Sequence, residues 1–191
     1  MNRFNILHSI QLLTRLPQSF GFGVQSPSAY YFIKYVINEK CPYYSYDLLK
    51  DSNQGFSDDF IKIYQLYFRI TNFLQPNLWI DFSENSSIVR KYVQAARNHI
   101  VFHVDSNMLD VHSFDVARID VGDHELFSKL VQMSTENSLI IIEKIHSSPQ
   151  MTFFWNQIKL DNRVRVTFDL YVCGLVFFDH RHPKNYKLLL R

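Results

Sequence analysis

Acidic residues close several of the apolar runs in this chain. Asp81 lies in LWIDF, Asp105 in HIVFHVDS, Asp120 in FDVARID and Glu143 in SLIIIEKIH, where Lys144 and His146 follow. Carboxylates and an imidazole at strand ends could move protons or hold a polar ligand. Ser26, Asp120 and His146 supply the residue types of a hydrolytic triad, but no nucleophile-elbow pattern surrounds the serine. After Phe82 comes a turn of Ser83, Glu84, Asn85, Ser86 and Ser87, with no glycine. Strand–turn–helix units that hold a cofactor are usually glycine-rich there, because the ligand backs against bare backbone at the helix start. No GxxxxGK[ST] phosphate loop is present. Cys173 has no acid–base partner nearby in sequence and is read as lying in a hairpin turn, which argues against a catalytic thiol.

These residues need a scaffold, and the apolar pattern predicts one. Ser26-Pro27 opens a helix with Tyr30, Ile33, Val36 and Ile37 as its buried stripe. A longer helix runs from Asp58 to about Leu74, capped by Ser57, with Ile63, Leu66, Ile70 and Phe73 facing inward; Pro76 ends it. The strand Leu78–Phe82 leads through the serine-rich turn to a helix from Ile88, for which Ser86 is the expected cap. Strands follow at His99–Ser106, Phe114–Asp120 and Ser138–His146, with helices opened by Gly122-Asp123 and Ser148-Pro149. Only Asn107 to Ser113 separates the second and third strands. That is too short for a helical crossover, so the two are antiparallel or the link passes over the first strand without a helix. Val164–Tyr171 and Leu175–Asp179 should pair as a hairpin about Cys173-Gly174. The whole reads as α/β.

Composition narrows the function classes. The chain has 191 residues, 47% hydrophobic and 16% aromatic, with only five glycines, which suits one aromatic-rich α/β core and argues against disorder. A net charge of +2 is too balanced for a dedicated nucleic-acid binder. His180, Arg181, His182, Lys184 and Lys187 form a basic tail, read as a solvated last strand and terminus. Ile6, Leu7, Ile10, Leu13 and Leu16 share one helical face, expected to pack on the body or on a second subunit rather than on a membrane. Two distant cysteines, Cys41 and Cys173, read as reduced thiols of a cytoplasmic protein. DSNQGFS, Asp51 to Ser57, is the linker candidate, dividing a helical, aromatic region 1–56 from an α/β domain 57–191.

Several segments together resemble a bacterial family of class I S-adenosylmethionine (SAM)-dependent methyltransferase-like proteins. GVQSPSAYYFIKYVINEKCPYYSY resembles the family's HGVHSP helix and PYYAY segment. YFRITNFLQP resembles the helix before its first strand, IIIEKIHSSPQMTFFWNQIK its fifth strand and next helix, and VRVTFDLYVCGLVFF its terminal hairpin. The resemblance implies a Rossmann-like methyltransferase sheet closed by a C-terminal antiparallel hairpin. SAM would lie over Asp81, Ser83 and Ser87, with Asp105 on the ribose, and Asp120 and His146 would stand near the acceptor, His146 as general base.

The departures from the family matter as much. Ser83 and Ser87 stand where the family's EIGTSLG-like turn has glycines, placing side chains and backbone strain where the cofactor would approach. Glu84 adds a carboxylate beside the cofactor's own. The short link after Asp105 corresponds to a deletion of strand 3, giving, in the family's numbering, the order 2-1-4-5-7-6 with strand 2 as an exposed edge. Lys144 stands where related metal-dependent O-methyltransferases have an acid, so no metal is expected on Asp120 and Glu143. The sequence therefore predicts a shortened relative with weakened or lost SAM binding. It would act as an interaction module, with a homodimer through the N-terminal region or the edge strand as the candidate partner, and without nucleic acid. The alternative is an active SAM-dependent O-methyltransferase on a small acceptor.

Overall fold

The predicted strands form with their ends trimmed, and successive residues along them enter two different cores. In the computed structural model, residues 14–104 and 111–190 are described. The strands are β1 (Leu78–Asp81), β2 (Val101–Val104), β3 (Val116–Ile119), β4 (Leu139–Glu143), β5 (Val166–Asp169), β6 (Cys173–Phe177) and β7 (Lys184–Lys187). The helices are α1 (Pro27–Phe32), α2 (Tyr44–Leu48), α3 (Asp58–Leu74), α4 (Ser86–Ala96), α5 (His124–Met133) and α6 (Pro149–Ile158). Trp79, Val116, Leu139 and Ile141 point to a core shared with α1, α3 and α4. Ile80, Ala117, Ile140 and Ile142 point to the other, under α5 and α6. This alternation is what a strand covered on both faces requires.

The sheet order is β2-β1-β3-β4-β6-β5-β7. The first six positions match the order expected for a sheet without the family's strand 3. Both β2 and β3 run parallel to β1, one on each side of it. The short link therefore passes over β1, and its described residues 111–115 form no helix. β6 runs antiparallel to both β4 and β5, so the result is a Rossmann-like methyltransferase sheet with its terminal hairpin. The seventh strand, β7, pairs in parallel with β5 and buries Tyr186. The basic tail is thus a sheet edge with one side chain in the core, not wholly solvated.

Local corrections have physical causes. The hairpin turns at residues 170–172 rather than at Cys173-Gly174. Tyr171 takes the left-handed position at φ 72°, and Leu170 N–H donates to the Cys173 carbonyl at 2.9 Å. Gly174 lies inside β6, where a Cβ would come within 2.5 Å of the Trp155 ring, so it is a close-approach glycine and not a turn glycine. Cys173 is accordingly a buried strand residue, and burial pushes its thiol pKa up. Ser26, Asp123 and Ser148 cap their helices through side-chain oxygens, whereas Ser57 heads α3 without such a bond. Tyr30 is exposed, because the buried stripe at helical spacing begins at Ala29 and runs through Phe32, Ile33 and Val36 to Ile37, with Ile33–Ile37 forming a π-helical turn. Phe73 is also exposed, while α3 buries a broad band from Tyr64 to Thr71.

Candidate functional site

Open α/β sheets bind ligands at the carboxyl ends of their strands, where the chain leaves adjacent strands in opposite directions. Here that point lies between β1 and β3, and a buried charge cluster spans it. Asp81 ends β1 and is paired in register with Arg118 of β3; both are essentially inaccessible. Arg118 Nε donates to both Asp81 oxygens at 3.1 Å. Its Nη1 donates to Glu143 Oε1 of β4 at 2.7 Å, and its Nη2 to the Glu84 carbonyl of the turn at 2.7 Å. The Tyr67 hydroxyl, from α3, donates to the same Glu143 oxygen, and the guanidinium lies 5.7 Å from the Tyr67 ring centre. One cation thus ties three strand ends to the turn above them.

The electrostatics follow from this crowding. Burial pushes the Asp81 carboxyl pKa up, against the Arg118 guanidinium, which draws it down. Burial disfavours the Arg118 cation, but Tyr67, Glu143 and Asp81 more than offset that and drive its pKa higher. Burial and the Glu143 charge both push the Tyr67 phenol up.

The turn itself differs from expectation. Its left-handed residue is Asn85, at φ 60°, which is also the N-cap of α4 in place of Ser86. Asparagine tolerates that region better than most residues. Neither Ser83 nor Ser87 has positive φ, so the strain expected at the two serines is absent. Ser83 N–H donates to Asp81 Oδ1 at 2.9 Å, and Ser86 Oγ donates to the Ser83 carbonyl at 2.7 Å. Ser83 Oγ is buried without a hydrogen-bond partner, and Ser87 is exposed on α4. Asp105 lies outside the described residues.

Asp120 and His146 belong to different groups. Asp120 accepts from Glu84 N–H at 3.3 Å and from Lys144 Nζ at 3.4 Å; the same ammonium reaches Glu84 Oε2 at 3.4 Å. Lys144 is in the left-handed region at φ 57°, which aims it across the turn. His146 instead contacts Asp169 at the end of β5, its Nε2 lying 2.9 Å from Oδ2 and 3.2 Å from Arg15 Nη2, while its ring stacks on Tyr171. Asp169 also accepts from Arg15 Nη1 at 2.6 Å, Trp155 Nε1 at 3.2 Å and Tyr171 N–H at 3.0 Å. Burial would raise the Asp169 pKa, but His146 and Arg15 hold the carboxyl well below the usual range. No cluster of three metal-binding side chains occurs among the described residues.

Sequence reasoning missed Arg118, Tyr67, Arg15 and Asp169. The first carried a signal. A charged residue inside the apolar run of β3, beside another in β1, must find a partner once buried. Arg15 and Asp169 are 154 positions apart and carried none.

No protein-family model and no curated sequence matches the chain. Solved structures do. The methyltransferase PaMTH1 of Podospora anserina, with S-adenosylhomocysteine (SAH) bound, aligns over 83% of this chain and 98% of its own, with a TM-score of 0.52 and 8% identity. A Staphylococcus aureus protein assigned as a caffeoyl-CoA O-methyltransferase aligns over 80% and 100%, with a TM-score of 0.52 and 8% identity. Likeness at this identity establishes the fold and leaves the chemistry to the residues.

At this point the described acids are already engaged by cations of the chain. Arg118 fills the space beneath the turn, and Lys144 bridges Glu84 and Asp120 above it.

Proposed function

We propose that this chain is a methyltransferase-like domain that has lost SAM binding and acts as an interaction module. The observation that supports this most is the Arg118 guanidinium, held by Asp81, Glu143 and the Glu84 carbonyl where the fold would receive a ligand. An internal cation bound on every side must be displaced before anything else can use those carboxylates.

The partner we propose is a second copy, joined through the β2 edge or the N-terminal region. Edge strands offer unpaired backbone groups, and most proteins guard them with charge or proline. β7, at the other edge, follows Pro183 and carries Lys184 and Lys187. β2 instead exposes Val101 at 52% and Val104 at 44%, and Arg90 reaches its Phe102 carbonyl at 3.3 Å. Sedimentation equilibrium tests this: a concentration-dependent dimer is expected, weakened by Val101→Lys. A monomer at every concentration would remove the proposed partner.

One observation favours the active O-methyltransferase, with SAM on Asp81, Ser83, Ser87 and Asp105 and an acceptor near Asp120 and His146. Ser83 Oγ is a buried hydroxyl without a partner, and a ligand could supply one. Saturable SAH binding would support that reading over ours.

A further inference from the structure

A cavity of about 860 Å³ opens at the amino ends of the parallel strands, away from the crevice between β1 and β3. Asn77, Asp115 and Asn137, which just precede β1, β3 and β4, line it together with Tyr31 of α1, Phe73 of α3 and Phe177 of β6. Its floor is aromatic. The Phe32 ring stands edge-on to Phe73 and Phe177, with ring centres 5.7 and 5.2 Å away. Tyr31 and Phe73 are left exposed at 56% and 45%. A concave space of this size, with an apolar floor and a few convergent polar groups, is the usual form of a small-molecule site.

The charged groups of the lining decide what fits. Two of its acids are already engaged. Arg181 pairs with Asp179 and covers the Phe177 ring at 5.1 Å, and His180 Nε2 lies 2.6 Å from Glu136 Oε2. Asp115 differs. Its Oδ2 accepts from the N–H groups of Asn77 at 2.6 Å and Leu78 at 2.9 Å, which are neutral donors. It makes no ion pair with any described residue. The neighbouring Arg97 donates to Gln75 Oε1 at 2.9 Å and Asn77 Oδ1 at 2.7 Å. Asp115 is also held firmly, since its own N–H donates to the Leu78 carbonyl and its carbonyl accepts from Leu139. The same bonds keep it close to the rings. Asn77 follows Phe73 by four residues, so at most about 14 Å of chain lies between them.

We propose that this cavity binds a small organic cation, an aromatic body resting on Phe73 and Tyr31 with a protonated amine directed to Asp115. Aromatic faces attract both rings and cations, and a carboxylate without a counter-ion supplies the charge that selects the amine. An anion would meet Asp115 and Glu136 and find the Arg181 guanidinium already held by Asp179. The cavity lies at the other end of the strands from Asp81 and Arg118, so neither the SAM question nor the proposed dimer decides it.

Calorimetric titration of the full chain with tryptamine, an indole that carries a protonated amine, tests the assignment. Saturable 1:1 binding is expected. It should be about tenfold or more tighter than for indole-3-propionate, which has the same ring and the opposite charge, and than for butylammonium, which has no ring. Phe73→Ala, at an exposed position, and Asp115→Asn, which keeps an oxygen for the two amides, should each weaken it about tenfold. Phe153→Ala, exposed on α6 and outside the lining, should leave it unchanged. The absence of saturable tryptamine binding, equal binding of indole-3-propionate, or undiminished binding by either variant with native circular dichroism would overturn the proposal. A lysine-rich peptide whose affinity rises with length well beyond that of tryptamine would overturn the assignment to a small molecule.

Discussion

The two buried charge clusters of this protein are built with opposite arithmetic. Around Arg118 one cation serves two carboxylates, Asp81 and Glu143. Around Asp169 one carboxylate serves Arg15, His146, the Trp155 ring N–H and a backbone amide. Both acids are buried, yet the Asp81 pKa is raised and the Asp169 pKa is depressed. Burial alone therefore does not set the sign; the ratio of donors to carboxylates does. The difference also divides the labour. The cation-centred cluster links the carboxyl ends of β1, β3 and β4, whereas the acid-centred one staples Arg15, ahead of α1, to the terminal hairpin. Arg15 also reaches the Leu188 carbonyl at 3.3 Å, and Leu189 N–H donates to Ser19 Oγ at 2.8 Å.

The sharpest way to break this contrast is to remove the shared cation. Arg118→Met should leave the Asp81 and Glu143 carboxylates without their shared cation and cost roughly 3–5 kcal/mol at neutral pH. Urea denaturation would show the loss shrinking at acid pH, as protonation discharges Asp81, whose pKa burial raises. Next in size, Asp169→Asn should cost about 1.5–3 kcal/mol at neutral pH, the range for hydrogen bonds to a charged group. Its pH dependence should oppose that of Asp81→Asn. Asp169 titrates lower in the fold than the ordinary value of about 3.9, so its stabilisation is present above that pH and lost as the pH falls. Asp81 titrates higher, so its contribution is present below that value and lost as the pH rises through its folded pKa. The cost of Asp169→Asn should therefore shrink on acidification while that of Asp81→Asn grows, and parallel trends would break the comparison. The smallest effect is expected at the turn. Asn85→Gly should leave stability within about 0.5 kcal/mol, since glycine accepts φ 60° readily but loosens the unfolded chain.

Much of the scaffold was legible because it rests on local patterns. The β-branched run of β4 and the Ser-Pro starts of α1 and α6 each have one physical reading, whereas the short link after β2 left two, and it was the resemblance that supplied the order found for the first six strands. What misled was residue type without context. Gly174 reads as a turn but makes room for Trp155; Ser83 and Ser87 read as strained, while Asn85 takes the left-handed position. The site was half legible. Asp81 was found at a strand end, but its partner Arg118 was passed over inside an apolar run. His146 was read as standing near an acceptor without its partner Asp169, a pairing set by long-range chain closure that no local spacing encodes.

The central claim is that the chain itself occupies the place where this fold would hold SAM. Isothermal titration of the full chain with SAH measures this directly, supported by thermal denaturation in its presence. A ligand at a hundred times its dissociation constant stabilises a native state by roughly 2.7 kcal/mol. The account predicts no saturable heat and no shift in Tm for the native protein. Saturable 1:1 binding with a clear rise in Tm, abolished by Ser83→Val, would contradict it.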